Sequence, residues 1–170
     1  PNMKTIRYVS IFLLGQLMSF SSVAAAELSA AQKREIIFDC TQLVNDYAYY
    51  RDLHDPVGFA NIFSEDARLQ ARGVWLEGDE IAQHVLNDDP AEVSMHLMTT
   101  IKIMPIDESS AIGVSYGAVA HEPKGQDGAA AVLSSFVVIG QYHDKFKMTD
   151  EGWKISERAF DVIFRKPEAE

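Results

Sequence analysis

The spacing of apolar residues changes once along this chain, from helical to alternating, and that change constrains the fold more than any other feature. Ser29 and Gln32 form a capping box that predicts a helix over 30–53, and Pro56 begins a second, short helix. Two short strands around Gly73 and a third helix in "GDEIAQHVLND" follow. From "VSMHLMTTIKIMPI" onward four long alternating segments predict strands joined by turns. This order predicts an α+β domain, a cone-shaped barrel in which about three N-terminal helices and a curved antiparallel sheet enclose a pocket.

The first 26 residues are typical of a secretory signal peptide. Lys4 and Arg7 precede an apolar run, and the small residues of "SSVAAA" suit cleavage before Glu27. We therefore expect residues 1–26 to be removed, and residues 27–170 to form one exported domain, periplasmic or secreted, with no stable membrane insertion. Intact mass of the exported protein would test this expectation. The alternative is an uncleaved N-terminal anchor.

Composition narrows the possible partners and cofactors. The net charge is −10, and loss of the basic leader would make it more negative, which disfavours binding to nucleic acid. Cys40 is the only cysteine, so an intrachain disulfide is impossible, and a buried core thiol is expected. The histidines show no paired ligand spacing, so neither a metal site nor another cofactor is predicted.

The segment "VLSSFVVIG" carries apolar residues on both faces of a predicted strand. One layer of helices covers only one face of a sheet, so the outer face would stay exposed in a monomer. We therefore expect a homo-oligomer, a homodimer or homotrimer, with that face buried between subunits.

Two segments resemble a known family. They are "YYRDLHDPVGFANIFSEDA" at 49–67 and the hairpin "GQYHDKFK…EGWKI" at 140–155. Together with the order of elements, they resemble the SnoaL-like branch of the nuclear-transport-factor-two-like superfamily. The similarity is greatest to scytalone dehydratase and related small-molecule lyases, and it extends over nearly the whole mature chain.

The resemblance implies three catalytic residues. Asp52, three residues before Asp55, matches the aspartate at the end of the first helix in that family. His96 in "MHL" matches the family's base histidine, and His121 in "VAHE" matches its second histidine. The resemblance thus implies that His96 abstracts a proton and that Asp52 orients His96 and stabilises its charged form. It also implies that His121 protonates a departing hydroxyl or hydrogen-bonds to the substrate oxygen.

The sequence also departs from the family pattern at its carbonyl-polarising and polar positions. Two family tyrosines that polarise the substrate carbonyl correspond to Arg51 and a position near Ala71. The family's serine and asparagine on a later strand fall near Ile139 and Gln141, so only an amide remains. We therefore do not expect scytalone dehydratase activity itself.

The same residues suit a pocket on chemical grounds. Alternation places His96 on one strand face with Ser94, Met98 and Thr100, and a neutral imidazole held by a carboxylate is a suitable general base. The candidate substrate-binding residues are Met98, Gln141 and Tyr49. Of these, Tyr49 lies one helical turn before Asp52.

Each catalytic candidate has a simpler interpretation. Asp52 could be an ordinary helix-end charge, His96 a satisfied core histidine and His121 an exposed strand end. The remaining histidines have charged neighbours and are predicted to lie on the surface: His54, His84 and His143.

The sequence therefore predicts a cofactor-independent lyase of dehydratase type, or an isomerase, acting on a small hydrophobic molecule that carries a carbonyl group. The alternative is a non-catalytic module of the same fold that binds a ligand or dimerises.

Overall fold

A computed structural model describes residues 27–167 of the chain. The predicted signal peptide, residues 1–26, lies outside the described residues. Within the described part, no helix has the length and apolar character that a membrane crossing requires. The elements, in chain order, are α1 (Ala30–Asp52), α2 (Pro56–Asn61), β1 (Phe63–Ala71), β2 (Val74–Glu77), α3 (Asp79–Leu86), β3 (Glu92–Pro105), β4 (Ser110–Pro123), a short 3-10 helix (Gln126–Gly128), β5 (Phe136–Thr149) and β6 (Gly152–Arg165).

The helix starts follow from local hydrogen bonding. The Ser29 hydroxyl accepts the Gln32 backbone N–H, and the Gln32 side chain accepts the Ser29 N–H, so both donors are satisfied at the start of α1. Asp55 caps α2 by accepting the backbone N–H of Val57 and Gly58. At its other end, α1 closes at Asp52, where the Leu53 backbone N–H donates to the Tyr49 and Arg51 carbonyls.

The six strands form one curved, unclosed sheet in the order β2-β1-β6-β5-β4-β3, so the predicted α+β class is confirmed. The sheet is mixed, however, and not wholly antiparallel, because β1 pairs with β6 in parallel. Turns join β3 to β4 and β5 to β6, a longer loop over 124–135 joins β4 to β5, and all three strand pairs are antiparallel. β1 enters from α2 and has no hairpin link to β6, so no hairpin turn constrains its direction.

An irregularity in β3 changes which residues face inward. Thr100 has a φ of 49°, and the register with β4 shifts between Thr99 and Lys102. Before this bulge the even-numbered residues face the helices, and after it Ile103 is buried. The prediction that Thr100 shares a face with His96 is therefore wrong, since an extra residue reverses the alternation.

The strand predicted to begin at Val132 begins at Phe136 instead. Val132 and Leu133 are 84% and 57% exposed, so neither gains a buried face that would favour strand pairing. The apolar residues at 132 and 133 alone did not distinguish this loop from the strand that follows it.

The core lies between α1 and the concave face of the sheet. Cys40 and Val44 on α1 are fully buried, as are Phe59 on α2 and Leu69 and Ile155 on the sheet. Burial, with the charges of Asp39 and Asp144, raises the pKa of the Cys40 thiol to about 12. The thiol is therefore protonated and acts as a small apolar core group.

One charged pair is buried in this core. Arg158 Nε lies 3.4 Å from Asp144 Oδ1, and both side chains are completely buried. The Arg158 guanidinium also lies against the rings of Tyr47 and Tyr142, at 4.0 and 4.2 Å from their centroids. Burial raises the pKa of Asp144 to about 6, and the positive charge of Arg158 opposes that increase. The carboxylate therefore depends on Arg158 to remain ionised.

Removing one member of this pair should cost more stability than removing both. Arg158→Met should lower the free energy of unfolding by about 3–5 kcal/mol, because it leaves a buried carboxylate without a cation. Adding Asp144→Leu should recover part of that loss. Urea denaturation at neutral pH measures both effects.

The matched control is Arg68→Met. Arg68 Nε lies 2.6 Å from Glu157 in an exposed pair, so the loss should not exceed about 1 kcal/mol. A double variant less stable than Arg158→Met would contradict this account.

Candidate active site

A cavity of about 220 Å³ opens between the ends of α1 and α3 and the concave face of the sheet. Its lining combines apolar side chains with an unusual number of histidines and arginines, the mixture expected of a ligand site. The lining residues are Tyr47, Arg51, His54, Gln70, Ala71, Arg72, His84, Asp88, Ser94, His96, Val119, His121, Val137, Val138, Tyr142 and Phe160.

Asp52 and His96 lie in direct contact at the cavity wall. Asp52 Oδ1 is 2.6 Å from His96 Nδ1 and accepts a 3.2 Å hydrogen bond from the Ser94 hydroxyl. Asp52 Oδ2 accepts the His96 backbone N–H at 2.8 Å. The carboxylate thus binds both the side chain and the backbone of the strand that carries the histidine.

This contact determines which nitrogen faces the cavity. An ionised carboxylate can only accept hydrogen bonds, so Nδ1 carries the proton and Nε2 keeps its lone pair. His96 lines the cavity, whereas Asp52 lies behind it. The His96 side chain is 10% exposed, which limits competition from bulk water. The arrangement can therefore present Nε2 as a base toward a molecule in the cavity.

His121 forms a second histidine–carboxylate pair nearby. Its Nε2 lies 2.6 Å from Glu92 Oε2, and both side chains are about one third exposed. In the β3–β4 register His121 is opposite Ser94, so His121 and His96 are diagonal neighbours on the same face. With Nε2 held by Glu92, the His121 Nδ1 atom remains available to the cavity.

Tyr47 and Tyr142 are nearly fully buried cavity residues. Burial raises the pKa of both phenols, that of Tyr142 well above its ordinary value, so both hydroxyls remain neutral donors. The Tyr47 ring meets His96 edge-on with centroids 6.1 Å apart. These two residues lie close to the dyad although neither occupies the position of a family tyrosine.

The three candidate substrate-binding residues lie outside the cavity. Tyr49 is 60% exposed and packs against Tyr50, because it lies about 200° around α1 from Tyr47. Gln141 faces away from the helices, since it alternates with the buried Tyr142. Met98 packs against the core and does not reach the lining.

Several cavity residues were not predicted from the sequence. Arg51 is 7% exposed and forms a bidentate ion pair with Asp88, in which Nη2 lies 2.8 Å from Oδ1. His54 Nδ1 is 3.8 Å from the same carboxylate. The prediction that His54 and His84 are surface residues is wrong, because both line the cavity. The signal that could have found His84 is its spacing from Ile81, one turn earlier on α3.

His84 reports the electrostatic character of the cavity. Burial, together with the positive charges of Arg51 and Arg72, lowers the pKa of His84 to about 4. His84 is therefore neutral at physiological pH and can donate or accept one hydrogen bond. Within residues 27–167 no group of three histidine, cysteine or acidic side chains is arranged to hold a metal ion.

The lowered pKa of His84 predicts a pH dependence of stability. The unfolded chain takes up a proton near its ordinary pKa of 6.5, whereas the folded protein does so only near 4. Stability should therefore fall as the pH drops from about 6.5 to about 4. His84→Gln should remove roughly 1–2 kcal/mol of the loss between pH 7 and 4.5, measured by urea unfolding.

The buried Asp144 contributes with the opposite sign, because its raised pKa favours the folded state at low pH. That contribution is common to wild type and variant, so it cancels in the difference. The exposed Gln83→Ala variant on the same helix removes no titratable group, so it is the control and should keep the wild-type slope. An equal slope in wild type and His84→Gln would contradict the buried, neutral state of His84.

Solved structures support the fold. LinA is 18% identical, with a TM-score of 0.67 over 84% of this chain and 95% of its own. A scytalone dehydratase-like protein from Novosphingobium aromaticivorans DSM 12444 is 18% identical, with a TM-score of 0.66 over 83% and 93% of the two chains. A hexachlorocyclohexane dehydrochlorinase, LinA-type3 from Novosphingobium barchaimii LL02, is 19% identical, with a TM-score of 0.63 over 83% and 95%.

A comparison with curated protein sequences gives no significant match. The sequence model of the SnoaL-like domain, in contrast, matches residues 32–159, which include all six strands except the end of β6. The chain therefore belongs to the SnoaL-like domain family.

Proposed function

We propose that this protein is a cofactor-independent lyase of the dehydratase type, or an isomerase, that acts on a small hydrophobic molecule carrying a carbonyl group. The observation that carries the proposal is the 2.6 Å contact between Asp52 and His96 Nδ1 at the wall of the cavity. The fold is one that LinA, a dehydrochlorinase, and a scytalone dehydratase-like protein also have.

The first step is proton abstraction by His96 Nε2 from a carbon next to the carbonyl. The Asp52 carboxylate stabilises the imidazolium that forms. The hydrogen bond from the His96 backbone N–H keeps that carboxylate from rotating away. Tyr47 and Tyr142 are neutral donors that can polarise the carbonyl oxygen, in place of the phenols absent at positions 51 and 71.

The second step needs an acid. In the protonated form of His121, Nε2–H is bonded to Glu92, and Nδ1–H remains for the departing hydroxyl. In an elimination, loss of that hydroxyl as water leaves an unsaturated ketone. In an isomerisation, the abstracted proton instead returns to a different carbon.

The direct test measures proton abstraction. The protein would be incubated in D2O with small cyclic β-hydroxy ketones, with and without a carboxylate, while NMR follows deuterium exchange and absorbance follows enone formation. His96→Ala should lower the rate by about 10²–10⁴-fold, the usual contribution of a general base. Asp52→Asn should lower it too, and the double variant should lose little more, because the two residues act as a unit.

His143→Ala is the matched control, because His143 pairs with an exposed carboxylate outside the cavity lining. Full activity in folded His96→Ala would contradict the assigned base. Ligand binding without exchange or elimination would favour the binding module instead.

The role of Asp52 can also be tested without a substrate. In Asp52→Asn, the amide oxygen can keep the bond from the His96 backbone N–H, but the amide NH2 then faces Nδ1. The imidazole should therefore move its proton to Nε2, the wrong nitrogen for a base facing the cavity. Nitrogen-15 NMR of labelled histidine distinguishes the two tautomers, and an unchanged pattern would mean that Asp52 does not set the tautomer.

We also propose that the convex face of the sheet mediates self-association, as a homodimer or homotrimer of the exported chain. Met95, Leu97, Tyr116, Ile139 and Phe164 are exposed by between 38% and 65%. In the strand register Leu97 is opposite Ala118, which is opposite Ile139, so the apolar surface is continuous.

Sedimentation equilibrium should therefore give a mass above that of one chain. The paired substitutions Met95→Lys and Leu97→Glu should shift the protein to a monomer. Val57→Lys is the control, because Val57 is 68% exposed on α2, away from the sheet. A wild-type monomer at micromolar concentration would contradict the proposal.

A further inference from the structure

The cavity lining combines two kinds of side chain. The apolar ones are Ala71, Val119, Val137, Val138 and Phe160. A polar set consists of Arg51, His54, Arg72, His84 and Asp88. A ligand that fills the cavity therefore meets both hydrocarbon and cationic or hydrogen-bonding groups.

The polar set has one positive charge in excess. Asp88 offsets Arg51 through a bidentate ion pair, and both side chains are about 90% buried. Asp52 lies behind His96 and is engaged by it. Arg72, in contrast, has no ion-pair partner among residues 27–167. The lowered pKa of His84 agrees with an excess of positive charge, because the charges of Arg51 and Arg72 add to the effect of burial on that pKa.

The backbone at Arg72 supplies an independent observation. Ala71 pairs with Val74, so Arg72 and Gly73 form a two-residue hairpin turn, with φ values of 52° and 81°. Such a turn favours asparagine or glycine at its first position, because a longer side chain with positive φ is strained. Arg72 is thus an unfavourable residue for the turn, and a strained position of this kind indicates a role for its side chain.

Arg72 also lies where two cavities meet. It is exposed, and it lines both the cavity of the dyad and an adjoining groove of about 670 Å³ formed by β1, β5 and β6. The groove has apolar side chains, Val137, Val138 and Phe160, and two charges of opposite sign, Asp161 and Arg165. A guanidinium beside such apolar side chains can bind a carboxylate through two parallel N–H···O bonds while the hydrocarbon part of the same molecule packs beside it.

We propose that Arg72 binds the carboxylate of the substrate, so that the site takes small hydrophobic carboxylic acids in preference to neutral molecules. The inference rests on the proposed function for the reaction, but it concerns recognition alone. Arg72 holds the anion, Phe160, Val137 and Val138 cover the hydrocarbon part, and the Arg51–Asp88 pair, already neutral, leaves that recognition to Arg72.

The test compares 2-naphthoate with 2-naphthamide, which match in shape and differ in charge. Isothermal titration with the mature chain should show tighter binding of the naphthoate. Arg72→Asn should weaken naphthoate binding about tenfold and leave naphthamide binding unchanged. The same variant should melt at an equal or higher temperature, because asparagine suits the turn better than arginine. A weaker site in a protein that is no less stable cannot be attributed to misfolding.

Arg34→Gln is the matched control. Arg34 is exposed on α1 and lies outside the cavity lining, so the variant removes the same charge without touching the site. An equal loss of naphthoate affinity in Arg34→Gln would show that the effect comes from the net charge of the protein and not from Arg72, and it would overturn the proposal. Failure of the naphthoate to bind up to its solubility limit, equal binding of both probes, or wild-type affinity in Arg72→Asn would also overturn it.

Failure here is separable from failure of the proposed reaction. The binding measurement involves no turnover, and His96→Ala should still distinguish naphthoate from naphthamide. If Arg72→Asn keeps wild-type naphthoate affinity while His96→Ala loses turnover, only the recognition role is rejected. If naphthoate binding follows Arg72 and no exchange occurs, recognition stands and the reaction is rejected.

Discussion

The Asp52 carboxylate joins helix α1 to the sheet, and the geometry of the cavity depends on that junction. One oxygen accepts the His96 backbone N–H, and the other contacts His96 Nδ1 and the Ser94 hydroxyl. A helix end bound only by apolar contacts could slide along the strand, because such contacts are not directional. Three polar contacts to two alternate residues of β3 fix both the height and the rotation of the helix. The bonds that orient the imidazole are therefore also bonds that hold the fold together, so substitutions of Asp52 must be judged with a measurement of folding beside any measurement of activity.

The floor of the cavity depends on a second buried charge. The Arg158 guanidinium lies against the rings of Tyr47 and Tyr142, and Asp144 lies beside it. A cation in contact with both rings favours the two phenols as hydrogen-bond donors to a substrate oxygen. A hydrophobic residue at position 158 would fill the same space without this polarising field. Burying Arg158 and Asp144 costs free energy of desolvation, which the packing of the surrounding aromatic and aliphatic core offsets. In return, the pair contributes to the electrostatics of the site.

The sequence predicted the parts of this site that follow from periodicity and from the family resemblance. The first helix, predicted over 30–53 and observed to Asp52, the strand carrying His96 and its alternation with Ser94 are local properties, and the structure places the Asp52 and His96 side chains in contact. Other features depend on long-range geometry. Tyr49 faces solvent because rotation about the helix axis favours Tyr47, and Gln141 faces outward because its neighbour Tyr142 takes the inner face. The bulge at Thr100 reverses the strand alternation, and no glycine or proline marks its position in the sequence. The spacing from Ile81 indicates that His84 faces inward, but the position of His84 and Asp88 at the cavity depends on the packing of α3 beside α2, a long-range contact.

Arg51 shows how the chain can place a cation beside its dyad without disabling it. An unpaired guanidinium one residue from Asp52 would compete with His96 for the carboxylate, and a charge-assisted bond to arginine would be the stronger of the two. Asp88 prevents this competition by binding Arg51 in a bidentate pair that is largely shielded from water. Asp52 is then left to His96, and the positive potential that acts on a ligand comes from Arg72 at the rim. The two arginines of the cavity therefore differ in role because one has a carboxylate of its own and the other does not, and this difference allows an acidic protein to combine a base and an anion-binding group in one small cavity.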